Sequence, residues 1–180
     1  MLRYMKSTAR LLVKPSGDVS IAVSTEVLSD LIGLRQLESH IPESGGLLLG
    51  RLFGDGGESA IEKLTMPGKG DKQSRFGFFR STHHQRLAEK YWKHTDGQGT
   101  YLGLWHTHPE PVPHPSSVDL DDWKRALKKD TFHGKGLLFA IVGTRSMGFW
   151  YGTSTKKINF VGNFEISKHV GNLYLSAGTP

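Results

Sequence analysis

The chain has no cysteine among its 180 residues. This absence excludes disulfide bonds, zinc sites built on thiolates and cysteine nucleophiles. It also excludes the zinc deaminase pattern, which requires cysteine ligands. A chain without disulfides suits a reducing compartment, so we expect a cytoplasmic location.

Long hydrophobic runs are also missing. Residues 1–6 carry positive charge but lack the continuous apolar core of a signal peptide, and no run reaches the about 20 apolar residues that cross a bilayer. We therefore expect neither secretion nor a membrane partner. The glycine-rich stretch 67–72 lacks the spacing of a phosphate-binding loop, so it predicts no nucleotide site.

Basic residues outnumber acidic ones, with 23 Lys and Arg against 17 Asp and Glu, for a formal net charge of +6. The positive side chains are spread along the sequence and are not gathered with aromatic residues that could stack on bases. This distribution favours a solvated basic surface over a nucleic-acid-binding one. We expect no nucleic-acid partner.

Two histidines separated by one residue follow an apolar run. Residues 100–105 predict a strand that leads directly into His106 and His108. Alternate residues of a strand project from the same face, so both imidazoles point toward one place and can share a metal ion. Taken alone, such a pair often arises by chance.

Four prolines between positions 109 and 115 separate this strand from the next element. They forbid helix and predict a stiff extended loop. Ser116 is then a natural N-cap for a helix over residues 117–129, with Asp119 in its first turn. Two histidines and one returning carboxylate leave a fourth position open, as in catalytic zinc sites. Alternatively, Ser116 and Asp119 form only a capping box.

A glutamate lies upstream, at the entrance to an apolar strand. Glu43 is followed by Ser44, by two glycines and by the run 47–53. Beside glycines that let other backbone approach closely, Glu43 could project into a cleft. The alternative is an ordinary exposed loop carboxylate, and the metal motif downstream favours the cleft.

These residues together resemble the JAMM (MPN-plus) metalloproteases, zinc isopeptidases that cut ubiquitin-like proteins from their conjugates. The resemblance rests on HTHP, a seven-residue spacer and SxxD, with a glutamate in PESGGLLLG, and it covers roughly residues 20–165. It implies that His106, His108 and Asp119 bind Zn²⁺. It further implies that Ser116 stabilises the tetrahedral intermediate and that Glu43 is the general acid/base.

A narrower resemblance rests on three segments, ESGGLLLGR, PGKGDKQSRFGFFR and TYLGLWHTHPEP. They are similar to bacterial JAMM peptidases encoded in CBASS antiphage operons beside a nucleotidyltransferase and a fused ubiquitin-activating and ubiquitin-conjugating-like enzyme. This resemblance implies that the substrate is a conjugate of a cGAS-like nucleotidyltransferase with an extended C-terminal tail. It also implies the fused enzyme as a partner.

Three other functions remain open at this point. A related peptidase could process a ubiquitin-like or sulfur-carrier precursor. A non-catalytic MPN-type scaffold would bind partners without zinc, although such proteins usually lose motif residues that are intact here. A DNA-associated relative of the same fold would use the basic charge, and salt-sensitive DNA binding would favour it.

The remaining sequence predicts alternating strands and helices. Ser24 or Thr25 is expected to cap one helix, and residues 83–94 form another, with His83, His84 and His94 on the surface. His114 is likewise expected to be no ligand. Phe76, Phe78 and Phe79 predict a strand that packs on the sheet, with the lining of a substrate groove as the alternative. The other predicted strands are two within residues 10–23, then 47–53, 60–66, 136–144, 147–153 and 158–166.

This order of elements predicts a mixed α/β (α+β) fold, one curved sheet flanked by helices and similar to the MPN fold. A chain of this length with 37% hydrophobic residues has enough material for one core. We therefore expect a single metalloprotease domain over residues 1–180. Its core covers about 20–166, and residues 167–180 form a short helix or a loose tail.

Overall fold

The computed structural model describes residues 9–166 and 175–177. Its strands are β1 (Ala9–Ser16), β2 (Val19–Ser24), β3 (Gly45–Phe53), β4 (Glu58–Leu64), β5 (Lys72–Ser74), β6 (Gly77–Phe79), β7 (Gly99–Thr107), β8 (Gly136–Val142), β9 (Ser146–Thr153), β10 (Ile158–Ile166) and β11 (Leu175–Ala177). Its helices are α1 (Thr25–Gly33), α2 (His83–His94) and α3 (Ser117–Lys129).

Most of these strands form one mixed sheet. Within the described ranges its order is β1-β2-β4-β3-β7-β8-β9-β10-β11. Two pairs are parallel, β2 with β4 and β7 with β8, and the other pairs are antiparallel. Strand β7 is central, between β3 and β8, which places the two histidines at its end in the middle of the sheet.

The sheet carries a helix on each face. Helix α1 buries Val27, Leu28 and Leu31 in one apolar cluster, together with side chains of β1, β2 and β9. Helix α3 buries residues such as Trp123 in a second cluster on the opposite face, with side chains of β7, β8 and β9. Two faces covered by helices explain why β8 is buried along its whole length.

The sheet is also curved, because β1, near one edge, contacts β10, near the other. Their residues share one apolar core, so the sheet closes around it. The predicted mixed α/β fold with one curved sheet flanked by helices is therefore confirmed. Among the described residues, no helix is long and apolar enough to cross a membrane.

Strands β5 and β6 form a separate two-stranded sheet, here called the 72–79 hairpin. The predicted strand is confirmed at Phe78 and Phe79, and its packing on the main sheet is confirmed for Phe78, whose ring lies against Gly45 of β3. Phe76 in the hairpin turn is 80% exposed, and Phe78 and Phe79 face a cleft. The groove-lining alternative is therefore also correct, because the separate hairpin stands beside the start of β3 and leaves Phe79 facing the cleft.

Two further expectations need correction. His84 was predicted on the surface, but it is buried because it lies between Asp71 and Thr65, with Nε2 2.9 Å from Asp71 Oδ2 and Nδ1 2.6 Å from Thr65 Oγ1. The tail was predicted as a helix or loose segment, yet Leu175–Ala177 pairs with β10 as a strand. The rest of that tail, 167–174 and 178–180, lies outside the described residues.

Candidate metal centre

Strand β7 delivers the two histidines to one point, as the strand periodicity predicts. The Nε2 atoms of His106 and His108 lie 3.2 Å apart, and both residues are buried. His106 pairs with Gly45 of β3 on one side and Ile141 of β8 on the other. His108 lies just past the strand, where its backbone N donates to Val142 O at 2.9 Å. The backbone of both histidines is thus held by the sheet.

The proline-rich loop turns back along β9 and leads into α3. Thr144 N donates to Glu110 O at 2.8 Å, and Ser146 N donates to Pro111 O at 3.0 Å. These bonds fix the loop and so determine where α3 begins. Ser116 caps the helix, and its capping box with Asp119 is present as predicted.

Helix α3 is fixed on the sheet by Trp123. Its indole stacks on Phe139 with a centroid distance of 4.7 Å and is fully buried. Trp123 lies four residues after Asp119, on the same side of the helix. Packing of the indole therefore turns Asp119 toward the histidines, with Oδ1 3.2 Å from His106 Nε2 and Oδ2 3.4 Å from His108 Nε2.

Glu43 approaches the same point from the loop before β3. The side chain is buried, which excludes the exposed loop carboxylate considered from the sequence. Its backbone is held by the hairpin, because Glu43 N donates to Ser74 O at 2.7 Å and Gln73 Nε2 donates to Glu43 O at 2.9 Å. The neighbouring Gly46 allows close approach, since a Cβ there would lie 2.1 Å from Thr65 O.

Four side chains meet at this point. One donor atom from each of Glu43, His106, His108 and Asp119 lies within 4.8 Å of all the others. The residues come from the loop before β3, the end of β7 and the first turn of α3. Ordinary packing does not favour four titratable groups in one buried place, because each loses hydration. Their convergence indicates a site for a cation.

The spacing of the donor atoms fits a tetrahedral metal. With Zn–N and Zn–O bonds of about 2.0 to 2.1 Å, tetrahedral angles require donor atoms to lie roughly 3.3 Å from one another. The Nε2 atoms of His106 and His108 lie 3.2 Å apart, while Asp119 places Oδ1 3.2 Å from His106 Nε2 and Oδ2 3.4 Å from His108 Nε2. These three residues are close enough together to hold one metal ion.

The electrostatics separate Glu43 from the three candidate ligands. Burial raises the pKa of Glu43 to about 7, against the opposing charge of His108. Burial also lowers the pKa of His106, which favours the neutral imidazole that a metal requires. Burial alone would raise the pKa of Asp119, but hydrogen bonds from His106, His108 and Ser116 hold it well below its usual range. In the metal-free chain Asp119 is thus held as a carboxylate, while burial favours the protonated form of Glu43.

His108 differs from its neighbour. Burial opposes its charged form, yet the nearby carboxylates of Asp119, Glu43 and Glu110 outweigh burial and raise its pKa. Its second ring nitrogen, Nδ1, is buried without a hydrogen-bond partner and lies 4.0 Å from Glu110 Oε2. The free chain therefore holds an excess of negative charge around His108, which a cation would balance.

A cleft opens beside the four residues. A cavity of about 320 Å³ is lined by Glu43, His106 and Asp119 together with hairpin and α3 side chains. A larger cavity of about 620 Å³ shares the lining residues Phe78, Phe79 and Arg80, and extends between α2 and α3. The candidate metal site thus lies at one end of a longer groove with an apolar floor.

Sequence reasoning missed the residues that shape this groove. Arg80 forms an ion pair with Asp122, which also binds Arg125. Arg80 and Asp122 lie 42 positions apart, and no motif connects them. The one sequence feature that pointed to the groove was the pair Phe78 and Phe79 before Arg80, for which groove lining was the alternative prediction.

The structure accounts for the other predicted residues less directly. Ser116 is exposed, and its hydroxyl donates to Asp119 Oδ2 at 2.7 Å. It contacts a candidate ligand, and its proposed role toward a reaction intermediate stays a prediction. His114 is exposed on the proline-rich loop, and the metal-binding group within the described residues is formed without it and without His83, His84 or His94.

Comparison with known proteins identifies the relatives of this chain. The family described as prokaryotic homologs of the JAB domain matches residues 25–154. A protein of Vibrio cholerae serotype O1 named CD-NTase/cGAS isopeptidase is 32% identical over 155 residues, covering 86% of this chain and 94% of its own. A protein of the same name from Escherichia coli is 32% identical, covering 77% and 85%. A third, from Pseudomonas aeruginosa, is 41% identical, covering 48% and 54%.

The matched residues 25–154 include every element that forms the candidate metal centre, from α1 through β9. They contain Glu43 at one end and the β7–α3 unit with His106, His108 and Asp119 toward the other. The relationship therefore covers both the fold and the site. This chain belongs to the prokaryotic branch of the JAB domain family.

Proposed function

We propose that this protein is a zinc-dependent isopeptidase that releases a cGAS-like nucleotidyltransferase from its conjugates in bacterial antiphage defence. The observation that carries the proposal is the convergence of Glu43, His106, His108 and Asp119 on one buried point beside an open cleft. The names of the relatives support the same reaction and the same substrate class. A fused ubiquitin-activating and ubiquitin-conjugating-like enzyme would make the bond that this protein cuts.

In this proposal His106, His108 and Asp119 hold the zinc ion. Bound there, zinc supplies a Lewis acid that makes water more acidic and polarises a carbonyl. The ligand atoms themselves are held by the sheet and by the capping box, so little rearrangement is needed to bind the ion. The bond to be cut is an amide between the C-terminal carboxyl of the nucleotidyltransferase and a lysine amine.

Glu43 serves as the general acid and base. The attacking water gives its proton to the Glu43 carboxylate and forms a bond to the acyl carbon. The carbon–nitrogen bond then breaks, and Glu43 returns the proton to the departing amine. The products are a free carboxylate and a free lysine.

Ser116 is proposed to stabilise the negative charge that develops on the acyl oxygen. Ser116 is the exposed N-cap residue of α3, and its hydroxyl lies beside the site because it donates to Asp119 Oδ2. It would exchange that bond for one to the acyl oxygen as charge develops. Donors of this kind contribute roughly 3 kcal/mol to catalysis in other hydrolases.

The hairpin offers a place for the substrate tail. Within the described residues, β6 pairs with β5 alone, so its outer edge has free backbone groups. That edge carries Phe78 and Phe79, which line both cavities. An extended tail that pairs with β6 would satisfy backbone groups on both chains, as strand addition does in other complexes. Its last residue would then reach the metal centre.

Cleavage of a defined conjugate tests the proposal. A cGAS-like nucleotidyltransferase, joined through its C-terminus to a lysine, is incubated with zinc-loaded protein and the products are mapped by mass spectrometry. We expect the intact C-terminus and the free lysine. The matched Glu43→Gln protein should bind zinc and leave the conjugate intact. An uncut conjugate with the zinc-loaded wild type would contradict the proposal.

A further inference from the structure

Gln36 is a buried polar side chain that no motif singles out. It lies in the loop between α1 and β3 and is 1% exposed. Its amide nitrogen donates to Ile41 O at 3.2 Å and to Arg75 O at 3.0 Å, and its Oε1 accepts from the Thr107 hydroxyl at 3.0 Å. One side chain therefore joins the loop that leads to Glu43, the turn of the 72–79 hairpin and the end of β7.

Thr107 extends this connection to the candidate metal centre. It separates the two histidines, and its side chain is fully buried. Its hydroxyl accepts from Ser44 N at 2.9 Å, and its backbone N donates to Ser44 O at 2.8 Å. Ser44 directly follows Glu43. Thr107 therefore connects the backbone beside the Glu43 carboxylate to the backbone between the two histidines.

The direction of each hydrogen bond in this network is determined. A hydroxyl has a single hydrogen, so Thr107 accepts from the Ser44 N–H and donates to Gln36. Gln36 can then take only one orientation, because a flipped amide would set its oxygen against two carbonyl oxygens. A buried network in which each partner fixes the next holds its members more rigidly than isolated pairs do.

The hairpin completes the restraint on Glu43. Ser74 and Gln73 bind the Glu43 backbone from the strand β5 side. Gln36 binds Arg75, the next residue of the hairpin, and through Thr107 it reaches Ser44 on the other side of Glu43. Gln36 thus contacts both structures that hold the Glu43 backbone, the hairpin at Arg75 and, through Thr107, the segment at Ser44.

We propose that Gln36 and Thr107 are positioning residues that set where the Glu43 carboxylate stands relative to His106 and His108. Neither belongs to the group of possible metal ligands, so both act through the backbone of their neighbours. A catalytic group displaced by about 1 Å can lose roughly a hundredfold in rate. The catalytic part of this inference rests on the proposed function.

Two substitutions remove the shared hydrogen bond from opposite sides. Thr107→Val keeps the shape and removes the hydroxyl, and Gln36→Met keeps the length and removes the amide. We expect each to lower kcat by about tenfold or more, with KM within roughly twofold and zinc content unchanged. Thr107→Ser retains the hydroxyl and should restore most of the rate. The double variant should lose less than the two single losses multiplied together, since the Thr107–Gln36 bond is removed in both.

Thr95→Val is the matched control. The Thr95 hydroxyl also joins two backbone segments, donating to Tyr91 O at 2.8 Å and accepting from Gly99 N at 2.7 Å, but at the far end of β7 from the histidines. Its loss should lower the midpoint of denaturant unfolding, because two backbone segments lose a shared hydrogen-bonding partner. Its kcat per folded molecule should equal that of the wild type.

Amide hydrogen exchange at Ser44 gives a readout that needs no substrate. In zinc-loaded protein, Ser44 should exchange faster in Thr107→Val and Gln36→Met and be unchanged in Thr95→Val. If the wild type fails to cut the conjugate, the proposed function fails while the exchange still decides the positioning role. Unchanged Ser44 exchange, or unchanged kcat in an active zinc-bound enzyme, would overturn the inference. Loss of the fold in both variants would also overturn it, by assigning the pair a purely structural role.

Discussion

The imidazoles of His106 and His108 face each other with their Nε2 atoms 3.2 Å apart. Two neutral rings in this arrangement gain at most one hydrogen bond, and two protonated rings would repel each other. Asp119 spans the pair with one carboxylate oxygen toward each ring. In the metal-free chain each ring can donate its Nε2 proton to one oxygen of Asp119, and a divalent cation between the three groups would replace both protons.

The first prediction concerns metal content. The purified chain should bind one zinc ion, and His106→Ala or Asp119→Ala should empty the site, because each removes one of three donor atoms. Binding to the folded state alone should also raise thermal stability, by about 2.7 kcal/mol when free zinc is a hundred times its Kd. Elemental analysis and thermal unfolding with and without zinc measure both effects.

His114→Ala is the control for metal content, because His114 is an exposed histidine outside the group of candidate ligands. It should bind zinc as the wild type does. Stoichiometric zinc in a protein with both His106→Ala and His108→Ala would show that the metal binds elsewhere.

The second prediction uses the burial of Glu43. Its pKa is raised from 4.5 to about 7, so between these values the folded chain binds a proton that the unfolded chain has released. Stability of the metal-free protein should therefore fall as pH rises through this window. Glu43→Gln removes this loss. Denaturant unfolding of the metal-free proteins should show the variant gaining up to about 3 kcal/mol on the wild type between pH 5 and pH 8.

Zinc content separates this role of Glu43 from that of a ligand. Glu43→Gln should hold as much zinc as the wild type, because three other residues supply the donor atoms. A difference in stability that does not change with pH would show that the carboxylate is already ionised at pH 5, and loss of zinc would make Glu43 a ligand.

The elements that carry the site could be predicted because their signals are local. The strand before His106, the cap at Ser116 and the first-turn position of Asp119 each follow from a few neighbouring residues. Steric preference, periodicity and capping decide such features within a single segment. Only the family resemblance predicted that Glu43 lies at the same site, because more than 60 positions separate it from His106 and no local rule connects residues so far apart.

The surroundings of the site could not be predicted in the same way. Gln36 meets Thr107 over 71 positions and Arg75 over 39, so neither contact has a sequence signature. Phe78 and Phe79 are typical of strands in a sheet, but nothing in their segment indicates a separate hairpin beside a groove. His84 was assigned to the surface because nothing in the helix indicates that Asp71 and Thr65 lie beside it.

The third prediction separates the two roles of Ser116. Ser116→Ala removes a helix cap, which should lower the free energy of unfolding by about 1 kcal/mol. If its hydroxyl also stabilises the oxyanion, kcat should fall roughly a hundredfold or more. Ser24→Ala is the matched control, since Ser24 caps α1 by accepting from Val27 N at 3.2 Å, far from the candidate metal centre. Denaturant unfolding and steady-state cleavage compare the two.

Equal losses of stability with a loss of activity only in Ser116→Ala would support the catalytic role. If Ser116→Ala retained near wild-type kcat, Ser116 would serve only to begin α3 and to hold Asp119.

The fourth prediction concerns which bond is cut. Hydrolysis should occur directly after the C-terminal residue of the nucleotidyltransferase, whether that residue is joined to a lysine or followed by a peptide. The free edge of β6 and the groove beside it can admit an extended tail, and the buried site at the end of that groove cannot admit a folded chain. Folded proteins without an accessible tail should therefore remain intact.

Three matched substrates decide this prediction: the lysine conjugate, a linear C-terminal fusion and a fusion whose tail has been deleted. We expect cleavage of the lysine conjugate and of the linear fusion, because both present an extended segment to β6. The fusion without a tail should stay intact. Cleavage of linear fusions alone would favour a sulfur-carrier-processing peptidase, and salt-sensitive DNA binding without cleavage would favour the DNA-associated alternative. A different outcome would be cleavage of unrelated unfolded proteins at scattered positions while the conjugate stays intact. The groove would then accept any unfolded segment, and the protein would be a general peptidase.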